Sequence, residues 1–150
     1  MERKPSAVPE MHKVVLDTNV IVAALRSRRG ASFAVLQQIG VAWEPLISVP
    51  LILEYEAVGK REAEKLGIPP STIDAIVRAF CFAGRQTTIH FRIRPFLSDP
   101  GDEFLLELAI AGAADAIVTH NVRHFAGIEQ FGIRVLTPRE FLRKIEEERL

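Results

Sequence analysis

Two rhythms alternate along the chain. Short runs rich in aliphatic or β-branched residues occupy positions 14–16, 43–48, 87–91, 115–119 and 133–136, and read as strands buried on both faces. Between them, apolar residues recur at helical spacing. The pattern predicts a helix over 20–25, then one over 31–39 with Phe33, Leu36 and Ile39 on one face and Gly40 as its stop. A third helix starts at Pro50 with Leu51, Tyr55 and Val58 toward the core, and a charged surface helix over 60–66 closes at Gly67. After Pro69-Pro70, Ser71 and Asp74 have the spacing of a capping box opening a helix that buries Ile73, Ile76, Val77 and Phe80 and ends at Gly84. A long helix runs to Ala113, and the last, opened by the capping box Thr137-Pro138-Arg139-Glu140, buries Phe141, Leu142 and Ile145. Strands alternating with helices predict an α/β fold with a five-stranded, mostly parallel sheet covered on both faces.

The polar residues at the strand ends carry the candidate chemistry. Val14-Val15-Leu16 runs directly into Asp17-Thr18-Asn19 before the apolar helix resumes at Val20. Asp17 can serve as that helix's cap, or as a carboxylate that needs hydrogen bonds, a metal or a wet cleft. Glu54 borders the core stripe of the third helix, where it either joins a site or meets an arginine, while Glu56 points to the opposite side. Asp102 shares its row with Leu105 and Ala109 and is expected to point inward; Glu103 and Glu107 are expected on a polar face. Asp99 before Pro100 reads as a cap, and Asp115 as a strand-start residue. The fourth strand ends in Thr119-His120-Asn121.

If the first and fourth strands are neighbours, Asp17, Glu54, Asp102 and Asn121 converge at the switch point of the sheet. Three carboxylates and an amide select a hard cation, Mg²⁺ or Mn²⁺. A carboxylate-held cation pair activates water and stabilises the leaving oxygen of a phosphodiester. His120 and His124 have the spacing of a zinc pair, yet no third nitrogen or sulfur ligand accompanies them, so zinc is not expected.

Composition narrows the field without choosing within it. The 150 residues suffice for one domain, expected over 13–150 behind a loose tail at 1–12 in which Met11 is a candidate natural start. Lysine plus arginine equal aspartate plus glutamate at 19 each, so any nucleic-acid contact must be local. Arg26, Arg28 and Arg29, in a loop that also suits a solvated helix end, and Arg123 are the candidates by position. A single cysteine excludes an internal disulfide and suits a reducing cytoplasm; no apolar run is long enough to span a membrane.

The quoted motifs, Val14 to Val20 (VVLDTNV), the helical Glu54, Asp99-Pro100-Gly101-Asp102 ahead of 105–109, and Ile117-Val118-Thr119-His120-Asn121 through Phe125, together resemble PIN-domain proteins. Within that family they are similar to the group regarded as toxin components of toxin–antitoxin systems. The resemblance runs from residue 13 into the last helix. It implies a three-layer αβα sandwich, Mg²⁺- or Mn²⁺-dependent ribonuclease activity on RNA, a homodimer, and an antitoxin protein as a further partner. It also implies Asp17, Glu54 and Asp102 as metal-holding acids, with Asn121 where many members carry a fourth acid. Thr18, Asn19 and Thr119 would support those acids, and Asp99 or Asp115 could make up the missing charge.

Rival α/β families fit less well. A phosphorylation receiver would carry a lysine after the last strand, where Leu136-Thr137-Pro138 stands; a haloacid-dehalogenase-type phosphatase would carry a second Asp at Asn19; a nucleotide-binding domain would carry a glycine-rich loop after the first strand. The remaining alternative is a PIN-like module that binds RNA or protein and cleaves poorly because Asn121 replaces an acid.

Overall fold

The structure, a computed structural model, describes residues 11–88, 96–97 and 99–148. Its centre is β1 (His12–Leu16), whose Val14, Val15 and Leu16 have no exposed surface. On one side β1 pairs with β2 (Trp43–Ile47); on the other, Val14, Val15 and Leu16 pair in register with Ala116, Ile117 and Val118 of β4 (Ala116–Val118). With β3 (Arg85–Gln86) beyond β2 and β5 (Arg134–Leu136) beyond β4, the sheet is parallel throughout, in the order β3-β2-β1-β4-β5. The expected adjacency of the first and fourth strands therefore holds. Chain direction across the sheet reverses between β1 and β4, which opens a crevice at their carboxyl ends.

Among the described residues, six α-helices flank this sheet: α1 (Thr18–Arg26), α2 (Ala31–Gln37), α3 (Val49–Leu66), α4 (Pro70–Ala83), α5 (Pro100–Ala111) and α6 (Pro138–Glu148). α5 lies against β1, β2 and β4, while α1 packs on α2 and α3, α3 on α4, and α2 on α6. Gly112 lets α5 turn into β4 close to the sheet, since a β-carbon there would come within 2.6 Å of a Leu46 methyl. The Thr137 box forms as the spacing predicts: Glu140 accepts the Thr137 amide at 2.9 Å and donates its own to the Thr137 hydroxyl at 3.1 Å. No helix among the described residues is long and apolar enough to cross a membrane.

Several local expectations change. The third strand is Arg85–Gln86 and not 87–91; Thr87 and Thr88 follow it, and 89–91 lie outside the described residues, as do 1–10 of the expected tail, whose His12 instead opens β1. The segment 60–66 is the second half of α3 and no separate helix, because Gly59 lies against Ile73 of α4 and Ala63 is buried. Ser71 caps nothing: α4 begins at Pro70, and Asp74 pairs with Lys60 at 3.0 Å. α2 buries Ser32 and Val35, with Phe33 only partly covered.

Glu103 and Glu107 depart most from the pattern. Both are buried, at 2% and 3% exposure, where a polar outer face was expected. The carboxylate of Glu103 accepts the backbone amides of Phe96 and Leu97, the latter at 2.6 Å, tying the chain that enters α5 to the helix itself.

Candidate active site

Asp17 is both a helix cap and a cleft residue. Its backbone is extended (φ −67°, ψ 141°), and its amide bonds the Val118 carbonyl at 2.9 Å, so the end of β1 is fixed to β4. One carboxylate oxygen accepts the Asn19 amide proton at 3.5 Å, the capping bond of α1. The other accepts the Thr119 hydroxyl at 2.8 Å and the Asn19 side-chain amide at 3.4 Å. Thr119, fully buried at the end of β4, also accepts the Asn121 amide at 3.0 Å, and Asn19 accepts that of His120 at 3.3 Å. The Asp17-Thr18-Asn19 and Thr119-His120-Asn121 turns are thus one hydrogen-bonded unit across the switch point.

Glu54 and Asp102 complete the cleft. A hollow of about 290 Å³ is lined by Asp17, Thr18, Asn19, Glu54 and Asp102, with Val22, Val58 and Leu105 as apolar wall. Glu54 stands on α3 after the Ser48-capped first turn and accepts the Thr18 hydroxyl. It is exposed at the lip and not turned into the core as expected, and Glu56 is half-buried beside Lys60 at 3.5 Å. The reason is that α3 buries Leu51, Tyr55 and Gly59, which leaves position 54 at the edge of that stripe. Asp102, in the first turn of α5, points inward as expected, its side chain 14% exposed, and meets the His124 Nδ1 at 3.2 Å. Beneath the cleft, the wholly buried Tyr55 donates its hydroxyl to the carbonyl of Leu16, the residue before Asp17, at 2.6 Å.

The electrostatics are those of crowded acids. Burial pushes the Asp17 carboxyl above its usual 3.8, and the charge of Glu54 adds to that, against the hydrogen bonds from Thr119 and Asn19. Burial likewise raises Asp102; the nearby Asp99 and Asp17 charges add to it and His124 opposes it. Tyr55 is pushed well up by burial and then by Asp17 and Glu54, so its hydroxyl stays a donor. A divalent cation would relieve this repulsion, and the donors are hard oxygens, a set that fits Mg²⁺ or Mn²⁺. Glu54 is engaged by Thr18 and Asp102 by His124, and among the described residues no three His, Cys, Asp or Glu side chains stand together as a ready-made cage.

The remaining candidates are dispersed. Asn121 is exposed at the head of a 3-10 turn (Val122–Phe125), and its side chain is not part of the cleft's lining. Asp99 caps α5 through the Gly101 amide at 2.7 Å. Asp115 accepts the Lys13 amide at 2.8 Å where β4 begins, the strand-start role read from the sequence. Arg26 meets Glu62 at 3.8 Å, Arg28 and Arg29 are exposed in the α1–α2 loop, and Arg123 lines a second hollow with His124. The histidines have separate partners, Ser32 for His120 at 2.8 Å and Asp102 for His124, so they form no pair. The roles of Tyr55 and His124 are not legible in the sequence pattern: Tyr55 reads as plain core, and nothing in the spacing of His124 points to Asp102.

The family model for the PIN domain matches residues 13–123, which include β1 from its second residue, α3, α5 and β4, with every acid of the cleft. The chain belongs to the PIN-domain family. No curated protein matches this PIN domain in sequence. Among solved structures, it is similar to a chain of the crystal structure of VapBC2 from Rickettsia felis bound to a DNA fragment from their promoter, with a TM-score of 0.55 at 14% identity. That likeness covers 83% of this PIN domain and 98% of the other chain, and it establishes a common fold.

Proposed function

We propose that this PIN domain is a Mg²⁺- or Mn²⁺-dependent endoribonuclease that hydrolyses RNA phosphodiester bonds, acting in the cytoplasm as the toxin of a toxin–antitoxin pair. The observation that carries the reading is that Asp17, Glu54 and Asp102, from three distant segments, line one cleft at the switch point of the sheet. The toxin assignment draws on the fold shared with a VapBC2 chain, and with it comes an antitoxin protein as an expected partner; a second copy of the chain is proposed from the sequence resemblance alone.

Asp17, Glu54 and Asp102 would hold the cation, which when bound lowers the pKa of water and stabilises negative charge on phosphate oxygens. Thr119 and Asn19 keep the Asp17 carboxylate in a single orientation through their bonds to it. Thr18 orients Glu54, and the Tyr55 hydroxyl fixes the end of β1 from below. Val22, Val58 and Leu105 make one wall apolar, which strengthens the electrostatic interactions beside it. Asn121 contributes at most a neutral oxygen.

The dispersal of Asn121, and the engagement of Glu54 and Asp102 by other side chains, favour a second reading: a catalytically weak module that binds RNA or a protein. One experiment separates the two. Purified protein is incubated with labelled single-stranded and structured RNA, with Mn²⁺ or with chelator, beside Asp17→Asn. Cleavage that requires Mn²⁺ and is lost in folded Asp17→Asn is expected; normal RNA binding without cleavage by the wild type would leave the binding module as the function.

A further inference from the structure

A second hollow adjoins the acidic cleft. It measures about 440 Å³, is lined by Asp99, Pro100, Asp102, Arg123 and His124, and shares the Asp102 wall with the cleft. Its two acids are already occupied. Asp99 accepts the Gly101 amide as the cap of α5, and Asp102 faces His124 at 3.2 Å. Arg123 is different: it forms no ion pair among the described residues, whereas Arg26 is drawn to Glu62. A guanidinium with no ion-pair partner among the described residues keeps its donors available to an anion, and its planar fork matches phosphate oxygens.

We infer that this hollow is a phosphate subsite. It takes the backbone phosphate of a single RNA strand next to the phosphate that lies over the acidic cleft, with Arg123 as the charged contact. The inference rests on the RNA reading above and names where the strand goes. A polyanion crossing Asp17, Glu54 and Asp102 meets repulsion from any charge the cation leaves uncompensated, and a cationic contact one nucleotide away sets the strand's register and steers its approach. Arg28 and Arg29, exposed on the α1–α2 loop, line neither hollow, so they do not set that register.

The test is a binding measurement, so that it does not depend on turnover. A fluorescent single-stranded RNA is titrated by anisotropy at several salt concentrations, with Ca²⁺ as the divalent ion, against wild type, Arg123→Gln and Arg123→Lys. Loss of one phosphate contact is expected to make the slope of log Kd on log salt shallower by about 0.7 in Arg123→Gln. Arg123→Lys should restore that slope, since charge and not shape sets it. Neutral methylphosphonate is then placed at one position at a time. One position should weaken wild-type binding several-fold and leave Arg123→Gln unaffected, because the partner charge is already gone.

An unchanged slope in Arg123→Gln, or methylphosphonate sensitivity that persists undiminished in it, overturns the subsite while leaving the nuclease reading intact. The expected binding pattern without cleavage in Mn²⁺ supports the phosphate contact and removes the nuclease reading alone. No RNA binding by the wild type overturns both.

Discussion

Tyr55→Phe isolates a single buried hydroxyl under the cleft. The side chain is 1% exposed and its only polar atom donates to the Leu16 carbonyl at 2.6 Å. Phenylalanine keeps the ring, including its tilted contact with Phe80 at 4.8 Å between centroids, so the apolar burial is unchanged. What is lost is one hydrogen bond whose acceptor stays in a dry interior, a cost of about 1–2 kcal/mol. For a domain of this size the unfolding entropy converts that into a fall in Tm of about 3–6 °C. Tyr55→Ala, which also removes the ring, should cost about 3–5 kcal/mol and serves as the upper reference. The assay is thermal unfolding by circular dichroism in metal-free buffer. Because burial and the nearby acids hold the phenol protonated, the loss should be constant between about pH 6 and pH 9. A Tyr55→Phe protein that melts within about 1 °C of wild type would refute the reasoning, since the bond would then not hold the end of β1.

Further outcomes probe the acids and their supports. Asp17→Asn keeps a capping side chain but removes the charge. Since burial raises the Asp17 pKa, the folded state favours the protonated acid; its unfavourable charge is absent below the usual 3.8 and grows as pH rises through the raised value. Metal-free Asp17→Asn should therefore melt above wild type at neutral pH, the gap closing toward acid, and Mn²⁺ should raise the Tm of wild type only; a gap that does not change with pH would contradict this. Thr119→Val, which removes the 2.8 Å bond to Asp17, should cut RNA cleavage at least about tenfold, whereas Asn121→Ala should leave it within about twofold, and the reverse order would place the fourth donor at Asn121.

Much of this PIN domain is legible in its sequence because its strands are short, buried and punctuated by polar caps. Val14-Val15-Leu16 before Asp17, and Thr137 three residues before Glu140, are local signals with local causes, and both form as read. The failures have non-local causes. Glu103 and Glu107 look like a solvated helical pair, yet the backbone amides of Phe96 and Leu97, brought back by the loop before α5, supply the partners that allow Glu103 to be buried. Ser71 has cap spacing, but Pro70 already starts the helix. For the site, Asp17 and Asp102 emerged because an acid in an apolar row needs a reason to be there. Thr119, the group that actually holds Asp17, came only as a supporting residue, since its partner lies 102 positions away.

The strand that delivers Asp17 has neighbours along both its edges, β2 and β4, whereas Glu54 and Asp102 ride on helices, one in the second turn of α3 and the other in the first turn of α5. Such a platform opens last when a protein breathes, and its rims open first. The cleft is built like an anvil: the bed that seats Asp17 is the part most firmly held, and the helices that carry Glu54 and Asp102 are expected to yield before it.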